Sequence, residues 1–598
     1  IAQCLVGSEM CIRDRLSDCR YHLQYHVRYD GGMVIMKYIK NMEKHHLMFE
    51  IGFFLCMVLF LWRCFYSINY YDEPYGITVM WRFFKGGAIL AEDWHPSQQL
   101  TSWILYPLYL FWYTLLGGND GILLAFRISY VIVQGMITVY CYMRLRKYQY
   151  FAAAAALLFM FSTHNNMTTL NYNTIGIGCM MVLLTTLFTE ESFSRKTLIL
   201  CGILTAVIVL AQPYTIFIFI LWGLTVCLAW IFGRKGQLPR LLRIDTFFYV
   251  GIGAAIVLAA FLIVVFSRAD LKEVLTGIHY NLSDPEHQMD LSYKVSKYFE
   301  RFYRYYKYQI LMMLVSLAVG YLRDGKAKNI LRAECLILST AAFVYSMIYH
   351  GWISDYVPID FISVPMAFFG TAVYGISKKK NRRLFFYWMI PAFLYTFCVQ
   401  LATDTGILAV SAATIMASAG GVLLTAEALM AEKTELSQKG ILLLAMALLL
   451  LNLLQAGLFI YQRISFTWWS APVAECTAMV NRGPAKGIYT TKEDLEWYEN
   501  ALGEIDSLEL TEEDRLLILE HASWLYLYAD VPAATYSFWS VGEENFLEEY
   551  YEQYPEKRPT VIYTSDIEDA VSKNYIQKFL AEGYELTEYD SGNLSLRK

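Results

Sequence analysis

Long apolar runs alternate with short polar breaks through the first three quarters of the chain. Segments lie near 47–66, 122–143, 150–163, 173–189, 197–212, 214–232, 246–267, 309–322, 331–349, 360–376, 384–400, 406–430 and 441–461. Each is read as a membrane-spanning helix, thirteen in all. A further run, Leu100 to Leu116, is short and rich in Trp and Tyr, residues that favour the membrane interface. After Gln462 the pattern changes. Short apolar strands, GIYTT (487–491), RLLILE (515–520), TVIYT (560–564) and YELTEY (584–589), alternate with helical stretches such as KEDLEWYENAL and IEDAVSKNYIQKFLAEG, the pattern of a small α/β domain. Behind the first apolar run, Ile77, Met80, Trp81 and Phe84 recur at helical spacing while Thr78, Arg82 and Lys85 fall opposite. That predicts an amphipathic helix lying in the interface, with its cations toward the headgroups.

Composition agrees. The 598 residues are 56% hydrophobic and 17% charged, and mean hydropathy is +0.35, the profile of an integral membrane protein. A net charge of −5 argues against a nucleic-acid partner. Of twelve cysteines only Cys476 falls in the C-terminal domain, so no disulfide is expected within it. The opening residues, IAQCLVGSEMCIRDR, resemble translated adapter read-through and are left out of the fold reading, with the start expected at Met33 or Met36.

Charge sets the expected topology. If 100–116 does not span, Arg144, Arg146, Lys147, Arg195, Lys196, Arg234, Lys235, Arg240, Arg243, Arg323, Lys326, Lys328, Arg332, Lys378–Arg383, Lys433 and Lys439 share the N-terminal side. Loops 164–172, 350–359 and 401–405 then carry no Lys or Arg. The positive-inside rule selects that arrangement. The expected organisation is a cytoplasmic N-terminal segment (1–46), a membrane domain (47–461) with external loops 67–121 and 268–308, and an extracytoplasmic α/β domain (462–598).

The candidate chemistry lies outside the membrane. Asp72, with Glu73 beside it, can take a proton from an acceptor hydroxyl; an Asp before Glu-Pro also suits a helix start. Arg82, Lys85, Arg268 and Lys272 are candidates to bind a donor phosphate, and Arg301 and Arg304 further cations. Arg82 and Lys85 serve equally as headgroup anchors. Asp93, His95, Asn171, Asn173 and His279 are candidate acceptor or sugar ligands. His279 and His287 are weak metal candidates; no cofactor is required, and a divalent metal stays open. Arg127, an intramembrane charge by position, pairs with an acid or snorkels outward.

The order of these features resembles the GT-C membrane glycosyltransferases, in outline the dolichyl-phosphate-mannose protein mannosyltransferases and the bacterial aminoarabinose and related lipid-sugar transferases. The features are a first helix, Asp72-Glu73 outside it, an interfacial helix, the knot Asp93-Trp94-His95-Pro96 and about thirteen spans. The resemblance covers roughly residues 45–400. It implies a GT-C-like α-helical polytopic fold and a plasma-membrane enzyme of a bacterial cell envelope. It also implies a polyprenyl-phosphate sugar donor, a lipid, glycan or protein acceptor, and a catalytic role at Asp72. The chain departs from the family pattern at 164–173, where His164, Asn165, Asn166, Asn171 and Asn173 stand with no second acid. Two other readings remain: a transporter or flippase of lipid-linked sugars, and a non-catalytic membrane assembly protein.

Overall fold

A computed structural model describes residues 44–94, 97–163, 167–233, 239–283, 290–353, 358–402, 413–432, 457, 461, 470–542, 544–565 and 570–598. Met33, Met36 and all but two residues of the expected span 441–461 lie outside them, as do His95, His164, Asn165, Asn166 and His287.

Among the described residues fifteen main helices make up the bundle. They are α1 (Lys44–Arg63), α2 (Asp72–Phe84), α3 (Ser102–Leu116), α4 (Ile122–Leu145), α5 (Tyr150–Phe161), α6 (Tyr172–Thr189), α7 (Arg195–Ala211), α8 (Ile216–Phe232), α9 (Ile244–Phe266), α10 (Leu271–Leu282), α11 (Leu291–Gly320), α12 (Lys326–Ile353), α13 (Pro358–Ile376), α14 (Ile390–Ala402) and α15 (Ile415–Glu432). Among the described residues six helical stretches are long and apolar enough to cross a membrane: 44–63, 122–148, 172–189, 213–232, 244–266 and 382–402. Three other apolar helices are shorter. The α3 helix has 15 residues. It rises only about 22 Å, too little to cross a hydrocarbon core of about 30 Å upright.

The expected polar loop 268–308 is instead mostly helical. It holds α10 and the first half of α11, whose polar turns run on into the apolar stretch 309–320 with non-helical backbone at Tyr306. Two helices, the second kinked at Tyr306, thus stand where a loop followed by a span was expected.

Helices α7 and α9 meet through glycines. A Cβ built on Gly202 falls onto the Val250 carbonyl, and one on Gly253 falls onto the Ile199 carbonyl. Small residues on both faces let the backbones touch. Gly202→Leu is expected to force the pair apart and cost about 1–3 kcal/mol by overpacking, read as a lower thermal midpoint in detergent. Gly251, with open space around it, provides the control: Gly251→Ala is expected to leave the midpoint unchanged.

The C-terminal part has the expected α/β character. A two-residue pair, β1 (Ala478–Met479) with β2 (Tyr489–Thr490), precedes β3 (Leu516–Ile518), β4 (Val561–Thr564), β5 (Glu585–Glu588) and β6 (Leu594–Arg597). The main sheet has the order β3-β4-β6-β5. Strands β3 and β4 are parallel, and the other pairs are antiparallel. Around the strands lie α16 (Lys492–Ser507), α17 (Ser523–Ala529), α18 (Glu544–Gln553) and α19 (Ala570–Ala581).

This domain is stitched to the bundle. Ser67 N–H donates to Tyr489 O at 2.7 Å, and Tyr489 N–H donates to Phe65 O at 2.6 Å. Gly121 and Leu123 N–H reach Gly483 and Pro484 carbonyls at 3.0 and 3.1 Å. One buried cluster runs through Phe60, Tyr75, Met80, Trp81, Phe126, Trp524 and Ile518, so bundle and α/β domain share a core around α2.

Candidate active site

The α2 helix differs from the expected interfacial helix. Glu73, Pro74, Tyr75 and every residue from Ile77 to Phe83 are buried. The α/β domain covers the face predicted to look outward. Thr78 Oγ1 donates to Ser523 O at 3.1 Å. Trp81 Nε1 donates to Asp530 Oδ1 at 2.7 Å.

Asp72 is the first residue of α2 and half-buried. Asn69 caps the turn: its Oδ1 accepts from the N–H groups of Tyr71 and Asp72 at 3.0 and 2.8 Å. Carboxylates on a first helical turn are favoured by the helix dipole. Asn69 Nδ2 also lies 3.5 Å from Asp72 Oδ2.

Glu73 is not available as a base. Its Oε1 and Oε2 accept from Arg127 Nε and Nη2 at 2.5 and 2.6 Å. The remaining Arg127 hydrogens go to carbonyls of Cys64 (2.9 Å), Tyr66 (3.2 Å) and Ser67 (2.7 Å). Both side chains are buried, which selects pairing over snorkelling for Arg127. Glu73 is therefore corrected from catalytic to structural.

The predicted cations stand apart from Asp72. Ten helical residues separate Asp72 from Arg82, about 15 Å. Arg82 is buried; it donates to Asp93 Oδ1 at 2.6 Å, Glu92 O at 3.0 Å and Thr535 O at 2.6 Å, and lies 3.9 Å from the Phe538 ring centroid. Burial pushes the Asp93 carboxyl up to about 6, with Arg82 drawing it back. Arg82 and Asp93 are thus paired with each other inside the fold. Lys85 pairs with Asp530 at 3.0 Å. Arg268 donates to the carbonyls of Phe83 and Gly87 and lies over the Phe83 ring at 3.6 Å, capping the far end of α2. Lys272 and His279 are exposed on α10, where with Leu271, Leu275, Thr276 and Tyr280 they line an open groove of about 560 Å³. Tyr280 stacks on Trp94 at 4.1 Å, so the groove sits beyond the C-terminal end of α2, away from Asp72.

The two asparagines are also structural. Asn171 caps α6 through a reciprocal pair of bonds with Thr174, at 3.0 and 2.9 Å. Asn173 accepts from Gln212 Nε2 at 2.9 Å inside the bundle. Asn171→Ala is expected to cost about 0.5–2 kcal/mol in unfolding free energy and to leave any substrate KM unchanged.

What the fold does bring toward Asp72 was not legible in the sequence. Tyr71 meets His521 edge to face at 6.2 Å, His521 meets Trp539 at 5.4 Å, and Trp539 meets Tyr75 at 6.0 Å. This ring chain joins the first turn of α2 to the carboxyl end of β3. Glu520 stands there, its Oε1 accepting from Ser565 Oγ at 3.0 Å. Burial pushes its carboxyl up to about 7, against hydrogen bonds from Ser565 and Thr564 that lower it. The one available signal was an acid closing a predicted strand with a histidine directly after it.

Among the described residues no three His, Cys, Asp or Glu side chains converge on a cation site. His279 is one exposed ring, and the other candidate, His287, lies outside the described residues. Compared with protein-family models and with curated proteins, the chain matches neither.

Proposed function

We propose that the chain is an integral membrane glycosyltransferase of a bacterial plasma membrane. It moves a sugar from a polyprenyl-phosphate donor to an acceptor hydroxyl at the outer face. The N-terminus is cytoplasmic, the α/β domain extracytoplasmic, and about thirteen segments span. One observation carries the reading: Asp72 presents a half-buried carboxylate on a capped first turn, at the seam of bundle and α/β domain, beside a chain of rings. Asp72 takes the acceptor's hydroxyl proton. The acceptor oxygen then bonds to the anomeric carbon as the bond from that carbon to phosphate oxygen breaks, and polyprenyl phosphate leaves with the electron pair. Arg82 and Arg268 have no part in this step; their roles are in holding α2.

The test is transfer by purified protein in lipid, with a panel of radiolabelled polyprenyl-phosphate sugars and a membrane extract as acceptor, with and without chelator. Label reaching the acceptor is the expected result. No transfer from any donor overturns the proposal.

A further inference from the structure

We infer that Glu520, His521 and Ser565, framed by Trp539 and Tyr71, form a binding site for the hydroxyls of a neutral carbohydrate. As the acceptor site of the transferase, this inference rests on the function proposed above. The site lies in the α/β domain, at the carboxyl ends of two parallel strands.

Topology gives the first argument. Strands β3 and β4 pair in parallel, Leu516 with Val561 and Ile518 with Tyr563. Open sheets bind ligands outside the carboxyl ends of parallel strands, where the following loops part. Glu520 and Ser565 are the residues just past those two ends, two after Ile518 and one after Thr564. They are linked by the hydrogen bond between them.

The second argument is satisfaction. Glu520 Oε2 is shut from solvent and has no hydrogen-bond partner among the described residues; the same holds for Ser523 Oγ, three residues on. A carboxylate oxygen left without a donor is costly. A ligand hydroxyl delivered to that oxygen removes the cost. Ser565 already holds Oε1, so one ligand hydroxyl matches Oε2, and Ser523 Oγ adds a further donor or acceptor for a second.

The third argument is the frame. His521 lies between Tyr71 and Trp539, and Trp539 between His521 and Tyr75. Aromatic faces pack against the C–H face of a sugar ring, burying apolar area without competing for its hydroxyls. The six residues Tyr71, Glu520, His521, Ser523, Trp539 and Ser565 include no Lys or Arg. That set suits a neutral polyol and opposes a phosphate or an acidic chain. The same rings reach the turn that carries Asp72, so a sugar held at Glu520 is directed toward the proposed base.

The test measures binding without turnover. The full chain carrying Asp72→Asn is placed in lipid nanodiscs and titrated with a panel of neutral oligosaccharides, each read by saturation-transfer NMR and tryptophan fluorescence. At least one oligosaccharide is expected to bind. Glu520→Gln and Trp539→Ala are each expected to raise its Kd by 10-fold or more, with Trp539→Phe keeping most of the affinity. Ser565→Ala, which leaves the carboxylate in place, is expected to raise Kd less and serves if Glu520→Gln fails to fold. Absence of binding by every oligosaccharide overturns the site, as does binding that none of these variants weakens. The outcomes separate the two proposals. A chain that binds in this way yet transfers no sugar keeps the site and loses the transferase. A chain that transfers sugar with an acceptor KM indifferent to Glu520→Gln keeps the transferase and loses the site.

Discussion

Asp72→Asn is expected to lower sugar transfer by about 10²–10⁴-fold, or about 3–5 kcal/mol in the barrier. The amide keeps the size and the place on the α2 turn, where Asn69 holds the backbone N–H groups. It cannot accept the proton. The loss is therefore expected in kcat, with acceptor binding and thermal midpoint close to wild type. Single-turnover kinetics with the labelled donor would measure it. Turnover within threefold of wild type would demote Asp72 to a residue of the helix start. Its neighbour provides a sharp contrast: Glu73→Gln is expected to act on stability first, because its carboxylate is occupied by Arg127.

Arg127→Ala is expected to destabilise the protein by about 3–5 kcal/mol, the cost of leaving a buried carboxylate unpaired. The guanidinium does more than pair with Glu73. It gathers the carbonyls of Cys64, Tyr66 and Ser67, which close the end of α1 and turn the chain toward α2. Losing it frees that turn as well. The double variant Glu73→Gln with Arg127→Ala is expected to recover the share of the loss that comes from the unpaired charge, while the turn held through Cys64, Tyr66 and Ser67 stays free. Thermal unfolding of the purified variants in detergent gives the cycle. Singles no worse than the double would show that the pair contributes nothing specific.

Several elements were legible from pattern alone. Four predicted strand stretches each contain a strand, β2, β3, β4 and β5, and the two quoted helical stretches became α16 and α19. Alternation and helical periodicity are local signals that survive packing. Strand β6 was missed because NLSLRK is short and polar at the end of the chain; it is a strand because β4 and β5 flank it. The reading of α2 as an interfacial helix failed for the opposite reason. Its periodicity was real, yet the second face was covered by a domain more than four hundred residues away.

The candidate site divides in the same way. An acid behind the first apolar helix was visible as chemistry, and Asp72 retains that role in the proposal. Whether a charge is free or spent is a long-range matter. Glu73 meets Arg127, Arg82 meets Asp93 and Thr535, and Arg268 meets the end of α2, all through contacts that spacing does not encode.

By itself the sequence determined the apolar, helix-rich character of the chain, the change to α/β after 462 and the residue types able to do proton chemistry. These follow from composition and from periods of two and 3.6 residues, which depend on neighbours along the chain. Only the tertiary structure decided that α2 is buried, that its cations hold the fold, and that Glu520 and His521 lie beside the turn of Asp72. Burial and hydrogen-bond pairing depend on neighbours in space, and those are set when the α/β domain closes over α2.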